Sequence, residues 1–252
     1  SGCNGTRGVW LGGIDGYPTE LNVIDYITVQ TTGNGTDFGD LTIGVGSTRG
    51  ISNHTRCIRT GGGDHTIGYE NSIDYFAMAT LGNATDFGDL TQSRGQGGSC
   101  NNAVRGVYAG GIIATNDNQD TIDMVTIAST GNSVDYGNLL AETNYNAGCS
   151  SSTRGVFLGG KDPANSSVIQ FITIAAAGNA IDFGDLTGTT YRGAATSNSV
   201  RGVGLTGGGD TIEYFTIAST GNAIDFGNLS VARGELSGMS DGHGGLTEGS
   251  SR

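Results

Sequence analysis

Five arginines recur at one place in the sequence, Arg7, Arg56, Arg105, Arg154 and Arg201, and five aspartates at another, Asp37, Asp86, Asp135, Asp182 and Asp225. Two kinds of chemistry could use them. A ring of guanidinium groups would bind an anion or a sugar acid, whereas paired guanidinium and carboxylate groups would fasten the structure through bidentate contacts. The one-to-one match favours structural Arg–Asp links, because stability makes the same demand on every unit while a single active site breaks symmetry. A second polar set follows three residues after each aspartate: Asp40, Asp89, Asn138, Asp185 and Asn228. Paired carboxylates could hold calcium with backbone oxygens. Asn replaces Asp twice, however, and no EF-hand pattern is present, so these residues read as turn caps bonding nearby amides. No metal is expected.

Catalysis finds little support. His54, His65 and His243 do not recur, and no G-x-S-x-G elbow or metal-binding pair accompanies them. Cys3, Cys57, Cys100 and Cys149 form no CxxC and have no histidine at ligand spacing, which argues against zinc. Cys3, Cys100 and Cys149 take similar places in separate units, so free, buried thiols are expected rather than disulfides. The chain is expected to be non-enzymatic and to carry no cofactor.

The elements that must position these residues are repeats. RGVWLGG at Arg7 returns as RCIRTGG, RGVYAGG, RGVFLGG and RGVGLTG, at steps of 49, 49, 49 and 47 residues. VIDYITV returns as SIDYFAM, TIDMVTI, VIQFITI and TIEYFTI, and a GN-x-x-D-[FY]-G-[DN]-L phrase is centred on Phe38, Phe87, Tyr136, Phe183 and Phe226. β-branched and aromatic residues make strands of these phrases, and the Gly-Asn pairs make turns between them. A fourth, variable strand precedes each new arginine. Four short strands in about 49 residues, five times over, predict an all-β, five-bladed β-propeller with four antiparallel strands per blade. The whole chain, 1–252, is one such domain. A last copy of the variable strand near 232–241 is expected to complete the blade opened by Arg7 and so close the ring. Gly244 stands where a sixth arginine would, so no sixth complete blade is expected.

The distance from the aromatic to the next arginine is always 18 residues, whereas arginine to aromatic takes 31, 31, 31, 29 and 25. All the variation falls between the Gly-Gly strand and the IDY strand, which marks surface loops on one face. Asp15, Tyr17, Asp64, His65, Tyr69, Asn116, Asp117, Lys161 and Asp162 lie there as candidate ligand-binding residues. Tyrosines beside Asp and Asn suit a sugar, whose ring packs on an aromatic face while its hydroxyls pair with the polar groups.

Composition limits the partners. Glycine contributes 47 of 252 residues, and the net charge is −12 with a single lysine, Lys161. Collagen is excluded by the absence of a third-residue glycine period. Nucleic acid is excluded as a partner by the lack of Lys and Arg clusters, and no membrane-spanning segment is available.

An arginine entering a strand, a Gly-Gly ending it, a Tyr-containing strand and a later aromatic resemble the kelch repeat. That resemblance implies that Phe38 and its equivalents take the place of the kelch tryptophan, wedged between blades. The wording TRGV…IDYITV…TGN…DFGDLT is more similar to repeats of virion structural and tail-associated proteins of marine and cyanobacterial phages. This implies a structural and binding module of a virion or extracellular fibre, with a host-surface glycan or a neighbouring virion protein as partner. Homo-oligomerisation is compatible with it. A free lectin and a polysaccharide-directed enzyme are the alternatives; the second would need two carboxylates facing one pocket.

Overall fold

A computed structural model describes residues 1–16, 18–64 and 68–240. Five sheets of four antiparallel strands form a five-bladed β-propeller, with no helix among the described residues. Blade one contains β1 (Gly2–Cys3), β2 (Arg7–Ile14), β3 (Glu20–Thr28) and β4 (Thr36–Asp40). Blade two contains β5 (Arg49–Ser52), β6 (Arg56–Thr60), β9 (Ser72–Ala77) and β10 (Thr85–Asp89), with a small hairpin, β7 (Gly63–Asp64) and β8 (Gly68–Tyr69), in its variable loop. Blade three contains β11 (Gly98–Asn101), β12 (Arg105–Ala109), β13 (Gln119–Thr126) and β14 (Val134–Thr143). Blade four contains β15 (Ala147–Ser150), β16 (Arg154–Leu158), β17 (Ser166–Thr173) and β18 (Ile181–Thr190). Blade five contains β19 (Ala194–Ser197), β20 (Arg201–Leu205), β21 (Thr211–Thr216) and β22 (Ile224–Asn228).

The variable strand is thus the first and innermost strand of its own blade. A tight turn decides this. The Asn4 side chain accepts bonds from the amides of Thr6 and Arg7, and Asn53, Asn102 and Asn198 do the same for their own arginines. Such a turn returns the chain on itself, so the strands on either side of it must pair. The described part of the expected closing strand, 232–240, therefore does not complete the blade opened by Arg7; Gly2–Cys3 do. Residues 232–240 form no strand and 241 onward, including Gly244, lie outside the described residues. Instead, residues 238–240 stand beside the inner strand of blade five. A Cβ on Gly238 would meet the Ala195 carbonyl oxygen at 2.5 Å, and one on Gly50 or Gly148 would likewise crowd the carbonyl of Ser1 or Ser99. On their other side lies blade one: Ser1 Oγ donates to Gly238 O at 3.1 Å, as Ser99 Oγ does to Gly50 O at 3.0 Å. The segment fills a sixth place in the inner ring.

Hydrophobic clusters lie between neighbouring blades. Phe38, Phe87, Tyr136 and Phe183 are buried there, with Phe38 packing on Phe76 of the next blade at 4.8 Å and Phe183 on Phe215 at 5.3 Å. The Asp-Phe-Gly segment carries a bulge, and its glycine is demanded twice. Gly39 has φ 144°, and a Cβ there would lie 2.5 Å from the Gly82 carbonyl oxygen of the next blade's Thr/Leu-Gly-Asn turn. That turn bonds back: Gly82 N donates to Phe38 O at 2.9 Å, and Asn83 Oδ1 accepts from Asp40 N at 3.1 Å. Blades two, three and four repeat both bonds toward their successors.

The expected Arg–Asp links are not made. Arg7, Arg56, Arg105 and Arg154 donate instead to backbone carbonyls of the next blade, at Met78, Ile127, Ile174 and Ile217, over 2.6 to 3.0 Å. Each also lies over an aromatic ring, for example Arg154 over Phe171 at 4.4 Å, and Arg201 likewise lies over Tyr214 at 4.5 Å. The five aspartates are exposed on the outermost strand. Asp37, Asp135 and Asp225 each accept from the amide of the bulge glycine two residues on. They hold their own bulge, too far out to meet an arginine that points into the interblade seam. The buried ionic links belong to other residues, and their carboxylates also take a hydroxyl from the preceding blade. Asp74 takes Arg59 Nη2 at 2.6 Å and Thr42 Oγ1 of blade one at 2.6 Å. Asp123 takes Arg94 Nη2 at 2.7 Å and Thr91 Oγ1 of blade two at 2.7 Å. All four ionic side chains are fully buried. Cys3, Cys100 and Cys149 are free and buried, as expected, and Cys57 is free and buried as well.

Candidate functional site

Small residues on the inner strands, Gly, Ser, Ala and Cys, leave a central cavity of about 850 Å³. At one mouth, five equivalent residues carry five different side chains: Ser47, Gln96, Tyr145, Arg192 and Glu235. Each sits just before an inner strand or the sixth inner segment, and each has a left-handed backbone, with φ between 54° and 64°. Their amides and carbonyls form a ladder: Gln96 N to Ser47 O, Tyr145 N to Gln96 O, Arg192 N to Tyr145 O and Glu235 N to Arg192 O. Left-handed conformations cost a non-glycine residue free energy and persist where the surroundings enforce them. Here the ladder enforces them, and it displays the five side chains next to one another.

Cations and aromatics gather on one side. The Arg192 guanidinium lies 4.6 Å over the Tyr145 ring and 5.5 Å over Tyr191, donates to Tyr145 Oη at 3.2 Å and pairs with Glu235 Oε1 at 2.7 Å. Burial opposes its charge, but Tyr145 and Glu235 outweigh that and hold its pKa above the ordinary value. Tyr191 meets Tyr145 edge to face at 6.2 Å and carries Lys161 Nζ at 5.7 Å. Across the mouth Gln96 Nε2 donates to Tyr69 Oη at 3.2 Å. Burial raises the Tyr69 pKa, so its hydroxyl stays protonated. Arg49 lines the wall. Its Nη1 donates to Thr48 O at 3.1 Å, and no carboxylate pairs with it among the described residues. Burial pulls its pKa down, with Tyr108 and Tyr145 acting the other way.

Of the residues singled out from the sequence, Tyr69 and Lys161 join this cluster. Asp15, Asn116, Asp117 and Asp162 are exposed and bond within their own loops: Asp15 N to Thr19 O, Asn116 N to Ile113 O, Thr115 Oγ1 to Asp117 Oδ2 and Asp162 N to Ala164 O. Asp64 lies in β7 with its side chain outside the described residues, and Tyr17 and His65 lie outside them altogether. Sequence reasoning missed Tyr145, Tyr191, Arg192, Glu235, Gln96 and Arg49. A signal was there. Ser47, Gln96, Tyr145, Arg192 and Glu235 follow one another at 49, 49, 47 and 43 residues, a position that repeats in place while changing in type.

Flat rings beside fixed cations can take a sugar face and an acidic substituent together. Glu235 is the one carboxylate among the described residues lining the cavity, and it is engaged by Arg192. Comparison with protein-family models and with curated proteins yields no match to this sequence.

Proposed function

We propose that the chain is a non-enzymatic binding module of a phage-like virion or extracellular fibre, and that its channel mouth holds an acidic sugar of a host-surface glycan. The supporting observation is the asymmetry of the mouth: one position, structurally the same in five places, bears Ser, Gln, Tyr, Arg and Glu. Repeated blades supply a rigid frame, and unequal loops and unequal rim residues supply one contact surface. Tyr145 and Tyr191 offer aromatic faces; Arg192, Lys161 and Arg49 offer positive charge within a chain whose net charge is −12. A lectin with an equal site in every blade would repeat these residues, and they do not repeat. Canonical glycoside hydrolysis asks for two carboxylates about the scissile bond, whereas the described lining has Glu235 alone.

A glycan array probed with the chain and with Tyr191→Ala and Arg192→Ala tests this. Binding to uronate- or sialate-bearing glycans is expected, with losses of about tenfold or more in each variant, the order of one anchoring contact. Absence of glycan binding would leave a neighbouring virion protein as the partner; equal binding by Arg192→Ala would remove the charge-based reading.

A further inference from the structure

Among the described residues, four of the five blade junctions are complete, and the fifth is open on its outer side while both of its half-surfaces are intact. On blade five, Phe226 is 57% exposed, whereas Phe183 at the same place is 2% exposed. A Cβ on Gly227 would meet nothing within 4 Å among the described residues, whereas one on Gly184 would meet the Gly221 turn at 2.6 Å. Arg201 is exposed and has the Tyr214 ring but, among the described residues, no carbonyl acceptor from a following blade. On blade one, Trp10 is 40% exposed, whereas its equivalents Tyr108 and Phe157 are 1% exposed. Asp25 is exposed where Asp74 and Asp123 are buried beneath the preceding blade's threonines. Val29 is exposed where Met78, Ile127, Ile174 and Ile217 are buried and give their carbonyls to an arginine.

Blades five and one do not simply gape. Residues 238–240 hold them one inner-strand place apart, with Met239 facing Gly8 as Ile51 faces Gly106 and Cys100 faces Gly155. We infer that the gap outside this segment is a docking slot for one three-stranded β-sheet carrying the chain's own repeat. The four complete junctions define the occupant. Toward blade five it must offer a Gly-Asn turn for Phe226 O and the Asn228 amide, a carbonyl for Arg201 and an acid on its middle strand. Toward blade one it must offer a buried aromatic followed by a bulge glycine, an arginine for the Val29 carbonyl and a hydroxyl for Asp25. A sheet of the Arg–IDY–DFG type meets all these requirements together. This inference is independent of the sugar-binding proposal.

Trp10, the single tryptophan, lines the slot and reports on it. In a chain whose Ser240 is followed by a copy of residues 198–230, Trp10 emission should move to the blue, its quenching by acrylamide should fall severalfold and the thermal midpoint should rise. Phe226→Ser in that chain should reverse most of the gain. Unchanged quenching and an unchanged midpoint, or a gain that survives Phe226→Ser, would overturn the slot. The chain without the graft gives an independent reading: Trp10 should be freely quenched, and Phe226→Ser should shift the midpoint far less than Phe183→Ser. Shielded Trp10 together with equal shifts would mean that blades five and one meet directly in solution, and the inference would fail.

Discussion

The junction between blades four and five and the junction between blades five and one are made from the same sequence phrases, yet one is a core and the other a surface. At the first, Phe183 is buried against Phe215, Thr187 donates to Glu213 and the Gly221 amide donates to Phe183 O. At the second, Phe226 and Trp10 face solvent and, among the described residues, 231–240 bridge the inner edge, through Arg233, Glu235 and Gly238. Identical phrases therefore do not carry identical energies. A phrase stabilises the protein only where its neighbour completes it, as expected of a repeat array whose stability is a sum of unit and interface contributions.

The comparison is broken most directly at the aromatic. Phe183→Ala should cost about 3–5 kcal/mol, the usual toll for emptying a core phenylalanine site. Phe226→Ala should stay within about 0.5 kcal/mol, as exposed substitutions do. Urea unfolding of the two variants side by side measures the difference, and equal costs would mean the two junctions are alike.

The acid on the middle strand comes next. Asp123→Ala leaves Arg94 buried without its carboxylate and should cost about 3–5 kcal/mol, whereas Asp25→Ala at the open junction should be close to neutral. The same unfolding experiment reads both, and a measurable loss for Asp25→Ala would place a partner on it in solution.

A pH series sharpens the contrast inside the complete region. Cys57, in the cluster between blades one and two, and Cys149 both have pKa values pushed up by burial from 9.0 to about 12. Raised values mean that the folded state favours the protonated thiol. Their contribution is thus full below pH 9 and is lost as pH rises from about 9 toward 12. Unfolding midpoints should fall over that window, and Cys57→Ala should flatten the decline relative to its own value at pH 8. A midpoint independent of pH up to 11 would show that the thiols are hydrated.

The smallest stability effect is expected at the channel mouth. Arg192 and Glu235 are 39% and 70% exposed, and an exposed ion pair contributes about 0–1 kcal/mol. Arg192→Ala should therefore leave the unfolding midpoint almost unchanged while abolishing most glycan binding. A large loss of stability would instead make Arg192 a structural tie between the inner strand of blade five and the sixth inner segment.

Much of the architecture was legible because the repeat states its own period. Arg154, Phe171 and Phe183 recur at spacings of 43 to 49 residues from their counterparts, and alternating apolar residues within each phrase specify strands whatever surrounds them. The open junction was not legible, since Phe226 has the same local sequence as Phe183 and nothing within its phrase says what lies opposite. The arginines were misjudged for a related reason. Counting matched charges cannot reveal that Asp135 faces outward on a bulge while Arg105 points into the seam toward Ile174 O.

Local sequence alone therefore determined the strands, their turns and the number of blades, because hydrogen-bonding register, side-chain alternation and Asn or Gly turns act over a few neighbouring residues. The ring decided the rest. Which strand belongs to which blade end, which carboxylate meets which cation, and that Tyr145, Tyr191 and Arg192 share one mouth all depend on contacts between residues dozens to hundreds of positions apart. Such contacts follow from the angle at which whole sheets pack, and that angle is a property of the assembled core rather than of any single repeat.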